Sequence, residues 1–210
     1  MDAVLRELGF AICHQLPERT LNFGSRGLFV CARDTGLFTA LFLGLVILCL
    51  PRNRSTRWPA PGIWAACAVL LSLFAFDALT SYAGWRETSN VLRLLSGLAA
   101  GAALAVPLSV LLNRYVWREG EGSAAGFRYP LFAPGLALLA VLFLARPAWA
   151  YQPAQLLTAA AMLGVFLGLN LIIVGSLADP GRRLAGLLPP ALLLVVVELA
   201  AGNRLHALFS

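Results

Sequence analysis

Between Cys13 and Gly36 the chain reads CHQLPERTLNFGSRGLFVCARDTG, which gathers Cys13, His14, Gln15, Glu18, Arg19, Arg26, Cys31, Arg33 and Asp34. Thiolate, imidazole and carboxylate are all admissible ligands of Zn²⁺, so Cys13, His14, Cys31 and Asp34 form a candidate metal set. Cys31 and Asp34 stand at i and i+3, which turns both to one side of a helix. The same residues admit blander uses. Cys13 and Cys31 can close a disulfide on an oxidising face of a membrane, or rest as two buried thiols. Neighbouring residues such as Cys13 and His14 rarely bind one ion together, and Cys-x-x-Asp is a weaker half-site than Cys-x-x-Cys.

A second group follows at Asp77, Thr80, Arg86, Glu87, Asn90 and Arg93. Arg86, Asn90, Arg93, Gly97 and Gly101 are spaced by 4, 3, 4 and 4 residues, a single stripe on an α-helix. The stripe runs into a Gly-x-x-x-Gly seam, which lets another helix approach closely, so it faces protein. Arg19, Arg33, Arg86, Asn90 and Arg93 are candidate substrate-binding residues. A forked, permanently charged guanidinium suits phosphate or carboxylate. Set against Asp34 and Asp77, the four Arg leave an excess of two positive charges, which Glu18 and Glu87 cancel if they point inward. Cys13, His14 and Asp77 are the candidates for acid–base or nucleophilic work. The alternative is that the Arg residues pair with Asp34, Asp77, Glu18 and Glu87 to hold helix ends together.

The elements that must position these groups are helices in a bilayer. Of 210 residues 60% are hydrophobic and 12% charged, and the mean hydropathy is +0.79. A soluble domain carries about 25% charged residues. The fold class is therefore all-α, a polytopic membrane bundle. The net charge of +6 comes from scattered Arg without Lys, which excludes a nucleic-acid surface and suits juxtamembrane loops. Val4, Leu5, Leu8, Ile12 and Leu16 recur at helical spacing, so the N-terminal segment reads as a short interfacial amphipathic helix ended by Pro17, not as a signal peptide. Six transmembrane helices are expected, near residues 27–50, 63–82, 87–112, 129–149, 154–177 and 184–201, with Pro189 and Pro190 kinking the last.

Residues 1–113 form a core holding the polar cluster, 114–126 a polar loop, and 127–210 three further helices. Arg52, Arg54, Arg57, Arg114, Arg118, Arg128, Arg182 and Arg183 crowd the loops of one face, which favours both termini outside. Arg6, Arg19, Arg26 and Arg33 level that count unless they belong to a site. In either orientation the Cys13–Gly36 and Asp77–Arg93 segments share a face.

The first half resembles a family of small bacterial and archaeal multi-pass membrane proteins classed as a domain of unknown function. Its signature is Cys-His-Gln…Pro-Glu-Arg, then Cys-x-Arg-Cys-x-Gly, Asp-x-x-Thr and Arg-Glu-Ser/Thr-x-Asn-x-x-Arg. The matching positions are Cys13, His14, Gln15, Pro17, Glu18 and Arg19, then Cys31, Arg33 and Gly36, then Asp77, Thr80, Arg86, Glu87, Asn90, Arg93 and Gly97. The resemblance covers about residues 9 to 112. The departure is Asp34, where that family usually has a second Cys. The resemblance implies a site and no activity.

Three function classes remain. The first is an enzyme of the inner membrane acting on an anionic, lipid-like substrate at the membrane face, with Zn²⁺ as its candidate cofactor. The second is a transporter, weakened because helices one to three and four to six show no internal repeat. The third is a structural or assembly factor. Membrane lipids are the expected partners and nucleic acid is not. Glu198 is a candidate intramembrane carboxylate, and Asn170, beside Gly164 and Gly168, is expected to bond between helices. Cys49 and Cys67 read as small hydrophobes.

Overall fold

A computed structural model describes residues 2–51, 54–117, 132–179 and 183–209. Of the expected polar loop 114–126, residues 114–117 instead continue the preceding helix as a π turn, and the rest, with Arg52, Arg118, Arg128 and Arg182 of the orientation argument, lies outside the described residues. A short helix α1 (Asp2–Phe10) leads through a 3₁₀ turn (Pro17–Arg19) into a hairpin of β1 (Thr20–Phe23) and β2 (Arg26–Cys31). Helices α2 (Ala32–Leu48), α3 (Pro61–Tyr82), α4 (Asn90–Leu112), α5 (Phe132–Ala145), α6 (Tyr151–Leu177) and α7 (Leu184–Phe209) follow. The protein is a helical membrane bundle.

Among the described residues four stretches are long and apolar enough to cross a membrane: Pro61–Tyr82, Asn90–Trp117, Ala148–Leu177 and Leu184–Leu208. Helices α2 and α5 have 17 and 14 residues, about 25 and 21 Å at 1.5 Å per residue. Both fall short of the roughly 30 Å hydrocarbon core. Among the described residues the six expected membrane helices are four long helices and two shorter ones.

The hairpin is the main correction to the sequence reading. Residues 27–31 were expected to begin the first span and instead pair as β2, so α2 starts only at Ala32. Gly24 has φ 63° while Ser25 is not in the left-handed region, the pattern of a two-residue II′ turn that closes a hairpin. Leu21, Phe23, Leu28, Phe29 and Val30 are buried. The apolar residues needed to cover the mouth of the bundle therefore come from strands. The N-terminal helix also ends earlier than expected. It stops at Phe10, which leaves Ile12 and Leu16 beyond it. The carboxamide of Gln15 donates to the carbonyls of Arg6 at 2.6 Å and Phe29 at 2.9 Å, tying α1 to β2.

Helix α4 begins at Asn90 and not Glu87, because the Ser89 hydroxyl accepts the Leu92 amide at 3.3 Å as an N-cap. Helix α7 runs past the expected end at Ala201 to Phe209, with Pro189 and Pro190 inside it. At the centre α2 crosses α4 almost backbone to backbone. A Cβ on Gly97 would overlap the Arg33 carbonyl, and one on Gly36 or Gly101 would overlap the Leu94 or Leu37 carbonyl. Glycine is required at this crossing, and the crossing fixes the first turn of α2 against that of α4. Helix α6 covers the other side of α2 with Ala161, Met162 and Val165, all buried. Val69, Leu73, Phe76 and Leu79 of α3 and Leu193, Val196 and Val197 of α7 remain exposed, as helices facing lipid require.

Candidate functional site

Because Gly36 and Gly97 bring the N-terminal ends of α2 and α4 together, Arg33 and Arg93 emerge on the same side as the C-terminal end of α3. There Asp77 is 3% exposed and both its oxygens are engaged. Arg33 Nη2 donates to Oδ2 at 2.7 Å and Arg86 Nη2 to Oδ1 at 2.5 Å, while Ser96 Oγ donates to Oδ2 at 3.1 Å. Arg86 Nε also donates to Thr80 Oγ1 at 3.0 Å. Two guanidiniums on one buried carboxylate lock α2, α3 and the α3–α4 connection together. A buried pair of this kind is costly to break, since removing one partner leaves the other charge uncompensated.

The second polar line of α4 ties it to the hairpin. Asn90 Nδ2 donates to the carbonyls of Glu18 and Thr20, both at 3.0 Å, and its Oδ1 accepts from Arg93 Nη1 at 3.0 Å. Among the described residues Arg93 has no carboxylate partner. Arg19 lies 4.0 Å from the exposed Glu18, the outer limit of an ion pair. The guanidiniums of Arg19 and Arg33 sit over the Tyr82 ring at 5.6 and 5.9 Å.

Between these groups lies a cavity of about 350 Å³. Arg19, Arg33 and Arg93 line it with Asp34, Cys13, His14 and Cys31, and Phe74, Ala78 and Tyr82 form an apolar wall on α3. Asp77 is not a lining residue. It stands behind Arg33 and neutralises it, while Arg86 and Asn90 brace the surroundings. The lining charges are therefore three guanidiniums against the one carboxylate of Asp34, with a second carboxylate behind.

Cys13, Cys31 and Asp34 meet on one wall, their ligating atoms all within 4.8 Å of one another. The Cys31 thiol donates to Asp34 Oδ2 at 3.1 Å, and Cys13 Sγ accepts the Cys31 amide at 3.4 Å. Both cysteines are free thiols. The hydrogen bond from the Cys31 side chain holds the Cys13 thiol below its ordinary value, against the opposing pull of burial and of the Asp34 charge. That same hydrogen bond, with burial and the charges of Asp34 and Cys13, pushes the Cys31 thiol up. His14, expected as a fourth member, is not within this group. Its ring meets the edge of His206 at 4.8 Å, and His206 stacks on Phe10 at 4.0 Å, so the end of α7 holds it.

Four site residues went unnamed in the sequence reading. Ser96 stands three residues after Arg93, a spacing that put it beside the polar stripe. Phe74, Ala78 and Tyr82 recur every four residues, one stripe of α3 that lines the cavity. Elsewhere Asn170 Nδ2 donates to Glu198 Oε2 at 2.8 Å and to Phe166 O at 3.0 Å, the interhelical bond expected of it. Because α7 is longer than expected, Glu198 lies inside that helix and not near its end.

Comparison with known proteins places the same segment. The family profile described as "Predicted membrane protein (DUF2085)" matches residues 13–106, from Cys13 into α4. An uncharacterized protein of Methanothermobacter thermautotrophicus is 37% identical over 100 residues, which cover 48% of this chain and 86% of that one. An uncharacterized protein of Methanocaldococcus jannaschii is 32% identical over 90 residues, covering 43% of this chain and 56% of that one. No solved structure matches. On the motif segment that builds the cavity, the chain belongs to the DUF2085 family of predicted membrane proteins.

Proposed function

We propose that the protein is an enzyme of the inner membrane that takes an anionic, amphipathic substrate at the membrane face. The headgroup would sit among Arg19, Arg33 and Arg93, and the apolar part against Phe74, Ala78 and Tyr82. The observation that carries this reading is Arg93. It lines the cavity among the like charges of Arg19 and Arg33 and forms no ion pair with a carboxylate among the described residues, and a guanidinium without an ion pair at membrane depth is expensive unless a ligand answers it. Cys13, Cys31 and Asp34 on the adjoining wall supply a nucleophilic or ligating group beside the bound anion. Asp77, a candidate base by sequence, acts here through Arg33 as a positioning residue.

The test is lipid retention. The full chain, exchanged into mixed phosphatidylglycerol and phosphatidylcholine, should retain the anionic lipid selectively when observed by native mass spectrometry. One charge-assisted hydrogen bond is worth about 1.5–3 kcal/mol, so the preference should be about tenfold or more. The bound lipid should also slow alkylation of Cys13. Equal retention of both lipids, with Cys13 unprotected, would contradict the proposal.

A further inference from the structure

Resting on that reading of the cavity, we infer that Cys13, Cys31 and Asp34 bind one thiophilic divalent cation, Zn²⁺ by chemistry, with its fourth position open to the cavity. Tetrahedral zinc with Zn–S bonds of about 2.3 Å separates its ligand atoms by about 3.8 Å. Here the three donor atoms lie within 4.8 Å of one another, and Cys31 Sγ stands 3.1 Å from Asp34 Oδ2. Small side-chain adjustments reach the required spacing without moving backbone. Two soft sulfurs select zinc over magnesium or calcium.

Three features support a built site. The first is rigidity: Cys31 is the N-cap of α2, its sulfur accepting the Asp34 amide at 3.5 Å, so two donors sit on one turn of a helix locked by the Gly36 crossing. The second is an outer partner: the Cys31 amide donates to Cys13 Sγ, the kind of hydrogen bond that orients a ligating thiolate. The third is charge. Two thiolates and a carboxylate around a divalent ion leave one net negative charge, which the guanidinium of Arg19 on the same cavity offsets. Three protein ligands and one open position are the arrangement of catalytic and not structural zinc. The open position faces the space where an anionic headgroup lies against Arg93. There the ion would polarise a headgroup oxygen or hold a water against it. His14 stays outside the ligand set, because its ring is engaged with His206.

The experiment is zinc content of the purified full chain, kept reduced, loaded with Zn²⁺ and passed through desalting, with Co²⁺ substitution as an optical readout. Wild type should hold about one ion per chain, as a site of three protein ligands does, and show a thiolate-to-cobalt charge-transfer band. Asp34→Cys should retain the ion. Cys31→Ser and Asp34→Ala should weaken it by more than the roughly 10–100-fold that loss of an outer partner costs. His14→Ala should bind as wild type does. Thermal unfolding of each variant separates ligand loss from misfolding, and Asp34→Cys against Asp34→Ala compares two variants of similar bulk. Wild-type protein that takes up no ion and shows no charge-transfer band overturns the inference. So does His14→Ala losing the ion as completely as Cys31→Ser. Arg93→Ala keeps the two proposals apart: it should keep zinc and lose lipid selectivity. Zinc bound without lipid selectivity in wild type would leave this site standing and remove the anionic-substrate reading.

Discussion

The two halves of the bundle handle buried polar groups in opposite ways. In α6 and α7 the polar side chains that bond find their partners close to home, and the buried amide oxygens of Gln152, Gln155, Asn170 and Asn203 find none. Thr158 Oγ1 donates to Ala154 O at 2.7 Å within its own helix, and Asn170 bonds to Phe166 O and to a single partner across the interface, Glu198. Around α2, α3 and α4 the polar groups reach across elements. Arg33 on α2 meets Asp77 on α3, Arg86 on the connection meets the same carboxylate, and Asn90 on α4 meets the carbonyls of Glu18 and Thr20. A side chain satisfied by its own helix serves packing. Groups that reach across several elements around one cavity, with cationic charge left over, are what the proposed binding site would need.

The contrast can be broken at either end. The largest effect should follow Asp77→Ala, which leaves Arg33 and Arg86 uncompensated at the mouth. Losing one partner of a buried pair costs about 3–5 kcal/mol, so the detergent-solubilised chain should melt far earlier, or fail to accumulate. Asn170→Ala removes only one interhelical hydrogen bond, for which about 0.6 kcal/mol is typical in membranes. The melting point should barely move. Similar losses for the two variants, measured by the same thermal scan, would erase the distinction between the halves.

Much of the motif half was legible because its signals are periodic. The spacing of Arg86, Asn90, Arg93, Gly97 and Gly101 placed the polar stripe and the tight crossing on one helical face, and the structure puts Gly97 against α2 with Arg93 on the cavity wall. Cys31 and Asp34 meet as their i, i+3 spacing requires. The hairpin was missed because Arg26–Cys31 reads on continuously into the apolar run of α2. The signal was present in Gly24-Ser25 between two apolar segments, a two-residue hairpin turn, but a membrane context favoured extending the helix backwards. His14 stands apart from Cys13, Cys31 and Asp34 for a different reason. Its neighbour in space, His206, lies at the far end of the chain on a helix whose last turns the apolar pattern did not extend to include. Local spacing carries no information about such a contact. The roles of Asp77 and Arg93 could not be separated by sequence either, since only geometry shows which guanidinium the carboxylate neutralises.

The central claim is that the mouth holds a ligand and is not merely a clasp for helix ends. Arg93→Ala tests it most directly, with stability and anionic-lipid retention measured on the same preparation. Arg93 gives one hydrogen bond to Asn90 and no ion pair among the described residues, so its removal should leave the melting point near that of wild type, within about 0.5 kcal/mol. Selectivity for phosphatidylglycerol should meanwhile fall about tenfold or more, the loss of one charge-assisted hydrogen bond. A melting point lowered as far as by Asp77→Ala, with lipid selectivity unchanged, would contradict the account and make Arg93 part of the clasp.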